Sequence, residues 1–94
     1  MFEKAKTLME LKKLQSQLAK EIVEVEAGDG AVRIQITGEQ KIKAVHLDQA
    51  KISGDWGKLE KWLESAITQA ITKSQQIAAE KMRSISGDLG IPGL

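Results

Sequence analysis

The chain has 94 residues and a formal net charge of +1, enough for one small domain but without the strong basic excess that indicates nucleic-acid binding from composition alone. It contains no cysteine, which excludes a disulfide framework and a thiolate zinc site. No apolar run approaches the ~20 residues that span a bilayer, and the first residues lack a signal-peptide core. The expected location is therefore the cytoplasm, without membrane association.

The first segment, from Glu3 to about Glu21, predicts a helix. Apolar residues recur at spacings of three and four on one side of it: Leu8, Leu11, Leu14, Leu18 and Ile22. Lys6, Lys13 and Lys20 are spaced by seven residues, close to two turns, so they form a column on nearly the opposite side. Solvated surface and a binding face are both open interpretations of this column.

Alternating apolar and polar residues then predict three short antiparallel strands between about residues 22 and 48. The first two strands are marked by Val23, Val25, Val32, Ile34 and Ile36. Between them, Gly28-Asp29-Gly30 is typical of a tight turn. The third strand, from Lys41 to Asp48, changes the face of its apolar residues partway. This indicates either burial on both faces or a bulge.

After a short connector, an uninterrupted helical pattern runs from Asp55 to about Ile85, with Ser53 or Asp55 as its cap. Such a helix is about 45 Å long, whereas a compact domain of this size has a radius of gyration of about 12 to 13 Å. Part of the helix must therefore project or be covered by another chain. Gly87 is expected to end the helix and to leave residues 86–94 as a flexible tail.

The predicted fold is α+β, a helix, a three-stranded antiparallel sheet and a long helix in a single domain over residues 1–94. The two helices can pack antiparallel, which would bring Lys4 and Lys6 near Lys81 and Arg83. Ser74 interrupts the apolar stripe of the long helix, so its distal half is expected to be less buried. Because the sheet keeps exposed edges, we expect a twofold homodimer from which helical prongs protrude, like tweezers.

The side chains that most enzymes use are scarce in this sequence. His46 is the only histidine and there is no tyrosine or cysteine, so the usual pairs of nucleophile and base are not available in one chain. Glu21, Glu24 and Glu26 match no calcium loop, and Gly28-Asp29-Gly30 lacks the lysine and helix of a phosphate loop. We therefore expect no catalytic residue, small-molecule substrate, cofactor or metal.

Short motifs extend over nearly the whole chain. They are LMELKKLQSQL at residues 8–18, the turn and strand from Gly28 to Ile34, Gly38, Val45-x-Leu47-Asp48, Glu80-Lys81-Met82 and the tail from Gly90 to Leu94. Together they resemble the YbaB/EbfC family of bacterial nucleoid-associated proteins, although that family often has proline at the position of Gln49. The resemblance implies a tweezer-shaped homodimer that binds DNA with little or modest sequence preference, in nucleoid organisation or gene regulation.

The leading hypothesis is that the dimer grips double-stranded DNA against its helical prongs, where basic side chains neutralise phosphates. No segment resembles a recognition helix, so the contacts should be mainly to the DNA backbone. The candidate DNA-binding residues are Lys6, Lys13, Lys20, Lys73, Lys81 and Arg83.

The alternative is a protein-interaction scaffold whose prongs bind a recombination or replication protein. It would use the distal apolar seam of the long helix, formed by Ile77, Ala78, Met82 and Ile85. Retardation of unrelated DNA duplexes in a gel distinguishes the two hypotheses, because a scaffold should retard none.

Overall fold

The computed structural model describes the backbone of residues 2–89 and the side chains of residues 6–83. Its elements follow in the order α1 (Phe2–Lys20), β1 (Ile22–Ala27), β2 (Val32–Thr37), β3 (Ile42–Leu47), α2 (Gln49–Ile52) and α3 (Trp56–Leu89). The strands form one antiparallel sheet in the order β1-β2-β3. The predicted α+β fold, with a helix, a three-stranded sheet and a long helix, is confirmed.

The longest element, α3, continues past its predicted end. It has 34 residues and is therefore about 51 Å long. It runs through Gly87 to Leu89, so the expectation that Gly87 ends the helix is wrong. Glycine permits the left-handed conformation of a helix end but does not impose it, and inside a helix it costs only about 1 kcal/mol relative to alanine. The rest of the predicted tail, residues 90–94, lies outside the described residues.

The connector between the sheet and α3 contains α2, which the sequence pattern did not predict. The carboxylate of Asp48 caps α2 by accepting two backbone N–H bonds at 3.0 and 3.3 Å. Ser53 ends α2 in the left-handed conformation, with φ of 50°. The Asp55 carboxylate then accepts the backbone N–H of Lys58 at 3.1 Å, so Asp55 is the residue that caps α3.

The third strand carries a bulge. The register of β3 against β2 shifts between Gln35 and Ile36, which leaves Lys43 as an extra residue in β3. All six residues of β3 are exposed in the single chain. Of the two predicted alternatives for this strand, the bulge is therefore confirmed and burial on both faces is wrong.

The hydrophobic core lies between α3 and one face of β1 and β2. Its buried side chains are Val25, Ala31, Val32, Ile34, Ile36, Ile52, Leu59, Ala66 and Ala70. Cross-strand pairing puts Ile42, Val45 and Leu47 of β3 on the same face of the sheet, because side chains of paired residues point to the same side. These three side chains nevertheless stay exposed, so α3 covers only two of the three strands.

The first helix packs against the part of α3 that extends beyond the sheet. Leu14 and Leu18 of α1 are buried, whereas Leu8 on the same predicted seam is 60% exposed. The backbone N–H of Gly38, at the β2–β3 turn, donates to the carbonyl oxygens of Leu18 at 2.9 Å and of Glu21 at 3.0 Å. These bonds fix the C-terminal end of α1 to the sheet.

The relative position of the two helices differs from the prediction. The ammonium group of Lys81 lies 3.4 Å from the Glu21 carboxylate, at the C-terminal end of α1. Lys6 lies fifteen residues before Glu21, about 22 Å along the helix axis. The predicted proximity of Lys6 to Lys81 is therefore wrong, and Arg83, two residues further along α3, is still about 20 Å from Lys6 along the axis. The side chain of Lys4 lies outside the described residues. Since α3 needs the stretch before Ile77 to cover the sheet, only its last turns remain to pair with α1.

The hydroxyl of Ser74 links α3 to the end of β2 and to the β2–β3 turn. It is fully buried, donates to the carbonyl oxygen of Thr37 at 2.7 Å and accepts the backbone N–H of Gln40 at 3.0 Å. The expectation that Ser74 marks a less buried half of the helix is thus wrong at this residue. A buried hydroxyl is tolerated there because both of its hydrogen bonds are satisfied.

The whole molecule is elongated. Its radius of gyration is 17.6 Å and its extents are 60 × 22 × 14 Å, against about 12 to 13 Å for the radius of gyration of a compact domain of this length. We call the sheet, α2 and the stretch of α3 from Trp56 to Ser74 the body. We call α1 and the stretch of α3 from Ile77 to Leu89 the prong. None of the helices within residues 2–89 is long and apolar enough to cross a membrane.

Candidate nucleic-acid interface

Three of the candidate residues form an exposed column along α1. Lys6, Lys13 and Lys20 are all exposed, and their seven-residue spacing gives a column about 21 Å long. The column lies about 120° around the helix from the buried Leu14 and Leu18, so α3 does not cover it. Among the described side chains, no carboxylate pairs with any of the three lysines. Within the described side chains, the positive charge of the column is therefore not held in an ion pair.

Two further candidates, Lys73 and Arg83, are exposed on α3. Lys73 follows Gln69 by one turn, and the Gln69 amide donates to the carbonyl oxygen of Glu26 in β1 at 3.3 Å. Lys73 thus lies on the flank of α3 that faces β1. Arg83 lies ten residues further on, about 15 Å along the axis and about 80° around it.

The sixth candidate, Lys81, is placed differently from the other five. Its side chain is half-buried and forms the ion pair with Glu21 described above. Part of its charge is therefore compensated within the chain. The structure does not bring Lys81 into the same surface as the lysine column.

The two sides of the molecule, along the body and the prong, differ in chemistry. The two helices run antiparallel with Leu14, Leu18 and Ile77 between them, so helical geometry puts the lysine column of α1 on the same side as Lys73 and Arg83 of α3. This is the side of β1. The opposite flank of α3, towards β3, carries exposed isoleucines at Ile67 and Ile71. One side is thus basic and the other apolar, a division that the sequence analysis did not predict.

The open face of the sheet is polar. The sequence pattern did not predict a binding site on this face. Glu26, Arg33 and His46 lie side by side across the three strands. Lys51 of α2 lies close to this row, near the turn between β1 and β2. Within the part of the chain that the structure describes, no group of three or more potential metal ligands could hold an ion. Their alignment depends on the register of the three strands, which the alternating sequence pattern alone does not give.

Comparison with known proteins finds relatives in both sequence and fold. The chain is 35% identical over 83 residues to a nucleoid-associated protein from Syntrophobacter fumaroxidans, covering 87% of this chain and 76% of that protein. It is 37% identical over 79 residues to a nucleoid-associated protein from Myxococcus xanthus, covering 83% and 75% respectively. The fold is similar to the crystal structure of the uncharacterized protein HP0035 from Helicobacter pylori, with a TM-score of 0.65 at 16% identity, covering 86% of this chain and 82% of that one.

A family model agrees with these relatives over almost the whole chain. The model of the YbaB/EbfC DNA-binding family matches residues 1–89, which include both helices of the prong and the entire sheet. The family is one of DNA-binding proteins and not of enzymes. With two nucleoid-associated relatives above 30% identity, the resemblance seen in the sequence is confirmed. The chain therefore belongs to the YbaB/EbfC DNA-binding family.

Proposed function

We propose that the protein binds duplex DNA as a homodimer, mainly through phosphate contacts, in the organisation of the bacterial nucleoid or the regulation of genes. The observation that carries this proposal is the exposed lysine column on α1, at Lys6, Lys13 and Lys20. Family membership and the names of the nucleoid-associated relatives support it. The proposed location is accordingly the nucleoid, in the cytoplasm.

The chemistry of the proposed contacts is electrostatic. Each lysine or arginine that neutralises a phosphate releases condensed counterions, which adds about −0.9 to the slope of log K against log salt concentration. Lysine ammonium groups on flexible stems approach phosphates without reading base edges, so little sequence preference is expected. Arg83 on the same side of the prong, and Lys73 on the same side of the body, extend the surface that the column begins. Lys81 is a weaker candidate because Glu21 competes for its charge.

The test is charge reversal in the column, with the variant Lys6→Glu/Lys13→Glu. We expect its affinity for duplex DNA to fall by about tenfold or more at low salt and the salt slope to become shallower, because fewer phosphates are neutralised. Fluorescence anisotropy with two unrelated duplexes measures both quantities. Lys61→Glu is the matched control, since Lys61 is exposed on the body. If the double variant binds like the control, the column is only solvated surface.

The homodimer is supported by an apolar surface on the β3 side of the body. Its exposed side chains are Ile42, Val45 and Leu47 of β3 with Ile67 and Ile71 of α3. Monomeric proteins rarely expose contiguous apolar patches of this kind, and each such side chain gains roughly 1.5 to 3 kcal/mol when fully buried. A second copy placed on this surface would cover the part of the sheet that α3 leaves open. The basic side of each prong would remain free.

Sedimentation tests the proposed dimer. The wild-type chain, of 10.3 kDa, should sediment at twice that mass at micromolar concentration. Val45→Asp and Ile67→Asp should each shift the equilibrium towards the monomer, because a carboxylate in an apolar interface is costly to desolvate. Thr68→Asp, one residue along α3 and exposed on its outer side, should stay dimeric. A compact wild-type monomer would contradict the proposal.

The scaffold alternative has less support. Of its proposed seam, Ile77 is half-buried next to Leu18 and Gly38, so α1 already occupies part of this surface. The side chain of Ile85 lies outside the described residues. A recombination or replication protein as partner would become the better hypothesis if the wild-type dimer failed to retard any DNA duplex.

A further inference from the structure

Two cationic side chains from different elements meet above Gly30, in the turn between β1 and β2. The point where a Cβ atom on Gly30 would lie is 3.3 Å from Nζ of Lys51 and 3.4 Å from Nη2 of Arg33. These nitrogens are thus no more than about 7 Å apart. Arg33 belongs to β2 and Lys51 to α2, so the arrangement depends on the fold and not on adjacency in sequence.

The charge of this pair is poorly compensated within the described residues. Nζ of Lys51 donates to the backbone carbonyl oxygen of Asp29, which is a neutral acceptor. Nε of Arg33 lies 3.9 Å from Oε2 of Glu26, and both of these side chains are about half exposed. Among the described residues, this long ion pair with Glu26 is thus the one recorded for Arg33, and none is recorded for Lys51. Like charges at this distance repel, and an anion between them would relieve the repulsion.

The turn that supports the pair has a defined conformation. Gly28, Asp29 and Gly30 all have positive φ, at 65°, 58° and 88°. The Ala31 N–H donates to the carbonyl oxygen of Gly28 at 3.1 Å and closes the turn. Because Gly30 has no side chain, Arg33 and Lys51 can both approach its backbone. The two cationic groups are thus held close together before any ligand arrives.

We propose that Arg33 and Lys51 form a phosphate-binding site beside Gly30, for a phosphomonoester or for a phosphodiester of a nucleic-acid backbone. The guanidinium presents parallel N–H donors that match phosphate oxygens, and the lysine adds a point charge. The site is separate from the column on α1. Trp62 of α3 contacts the turn whereas Lys81 contacts the end of α1, and these residues are about 28 Å apart along α3.

The test uses the full chain labelled with ¹⁵N and carrying Lys6→Glu and Lys13→Glu, which reverse two of the three charges of the column on α1 and leave this site intact. Inorganic phosphate should shift the amide resonance of Gly30 and the Nε–H resonance of Arg33 in a saturable way. Sodium chloride at the same ionic strength should not. Equal shifts with both salts, or no saturation, would overturn the proposal.

Variants assign the effect to the pair. Arg33→Gln and Lys51→Gln should each weaken phosphate binding by roughly two- to fivefold, as expected for exposed charges. Glu26→Gln should strengthen it, because the competing carboxylate is removed. Lys43→Gln, an exposed lysine in the bulge of β3, is the matched control and should change nothing. Equal effects of Lys43→Gln and Lys51→Gln would mean general charge screening and would contradict the site.

A second titration distinguishes the two sources of phosphate. If a short duplex shifts the same two resonances in the same background, the site accepts the phosphodiester backbone and gives each protomer a second DNA contact. If only inorganic phosphate shifts them, the site accepts a small phosphate ligand. If neither shifts them, the site does not exist. The DNA affinity of the wild-type protein, measured separately, decides the proposed function independently of these results.

Discussion

Replacing Gly28 by alanine is expected to lower the free energy of unfolding by about 2 to 4 kcal/mol. The added Cβ atom would lie 2.4 Å from Cδ2 and 2.6 Å from Cε2 of the Trp62 ring. An aromatic ring packed on the turn cannot bend away as a flexible side chain can. The left-handed φ of 65° adds strain, because alanine rarely adopts it.

Chemical denaturation at one fixed protein concentration measures this change, since the stability of a dimer depends on concentration. Gly54→Ala is the matched control, because Gly54 also has a positive φ, of 76°, but nothing lies within 4 Å of its added Cβ. It should cost about 1 kcal/mol, the strain alone. A Gly28→Ala variant no less stable than Gly54→Ala would show that Trp62 does not pack on the turn. A double-mutant cycle with Trp62→Leu should give a non-additive energy for the same reason.

Replacing Gly38 by alanine is expected to detach α1 from the body. The added Cβ would lie 2.8 Å from Cδ2 of Leu18, 3.1 Å from Cγ2 of Ile77 and 3.2 Å from the Leu18 carbonyl oxygen. The leucine methyl group can move, but the carbonyl accepts the Gly38 N–H and cannot retreat without losing that bond. We expect a loss of about 1 to 3 kcal/mol in the free energy of unfolding.

The Gly38→Ala prediction has a local and a functional measurement. Amide hydrogen exchange in α1 should become faster while exchange in β1 and β2 changes little, because the substitution disrupts the packing of α1 on the sheet and leaves the strand pairing intact. DNA affinity should fall as well, since α1 carries the lysine column. Gly57→Ala, in the first turn of α3, is the control and should be neutral or slightly stabilising. Unchanged exchange in α1 would contradict the role assigned to Gly38.

Most of the fold could be predicted because its elements follow simple periodicities. Alternation from Val32 to Ile36 predicted the central strand, and the change of face in the third strand left a bulge as one of two alternatives, which the structure confirms. α2 was missed because four residues are too few for a helical period to appear. The burial of Ser74 was missed because its hydrogen-bond partners, Thr37 and Gln40, are more than thirty residues away in sequence.

The candidate site was less predictable than the fold. The lysine column on α1 depends only on helical spacing, so its exposed position could be foreseen. The environment of Lys81 could not, because its partner Glu21 is brought near by the way α1 packs on α3. The same holds for Arg33 and Lys51, which meet only through the register of the sheet and the position of α2. Contacts between elements decide which charges stay free, and periodicity does not contain that information.

The continuity of α3 has a mechanical consequence. The only proline of the chain is Pro92, so α3 contains none, and the same helix packs on the sheet and forms half of the prong. A change in the orientation of α3 on the sheet is therefore transmitted to its C-terminal end. A tilt of about 5° where Ala66 and Ala70 pack on the sheet would move Leu89 by roughly 3 Å. Substitutions in the core, far from the lysine column, are thus expected to alter the proposed DNA contacts of the prong.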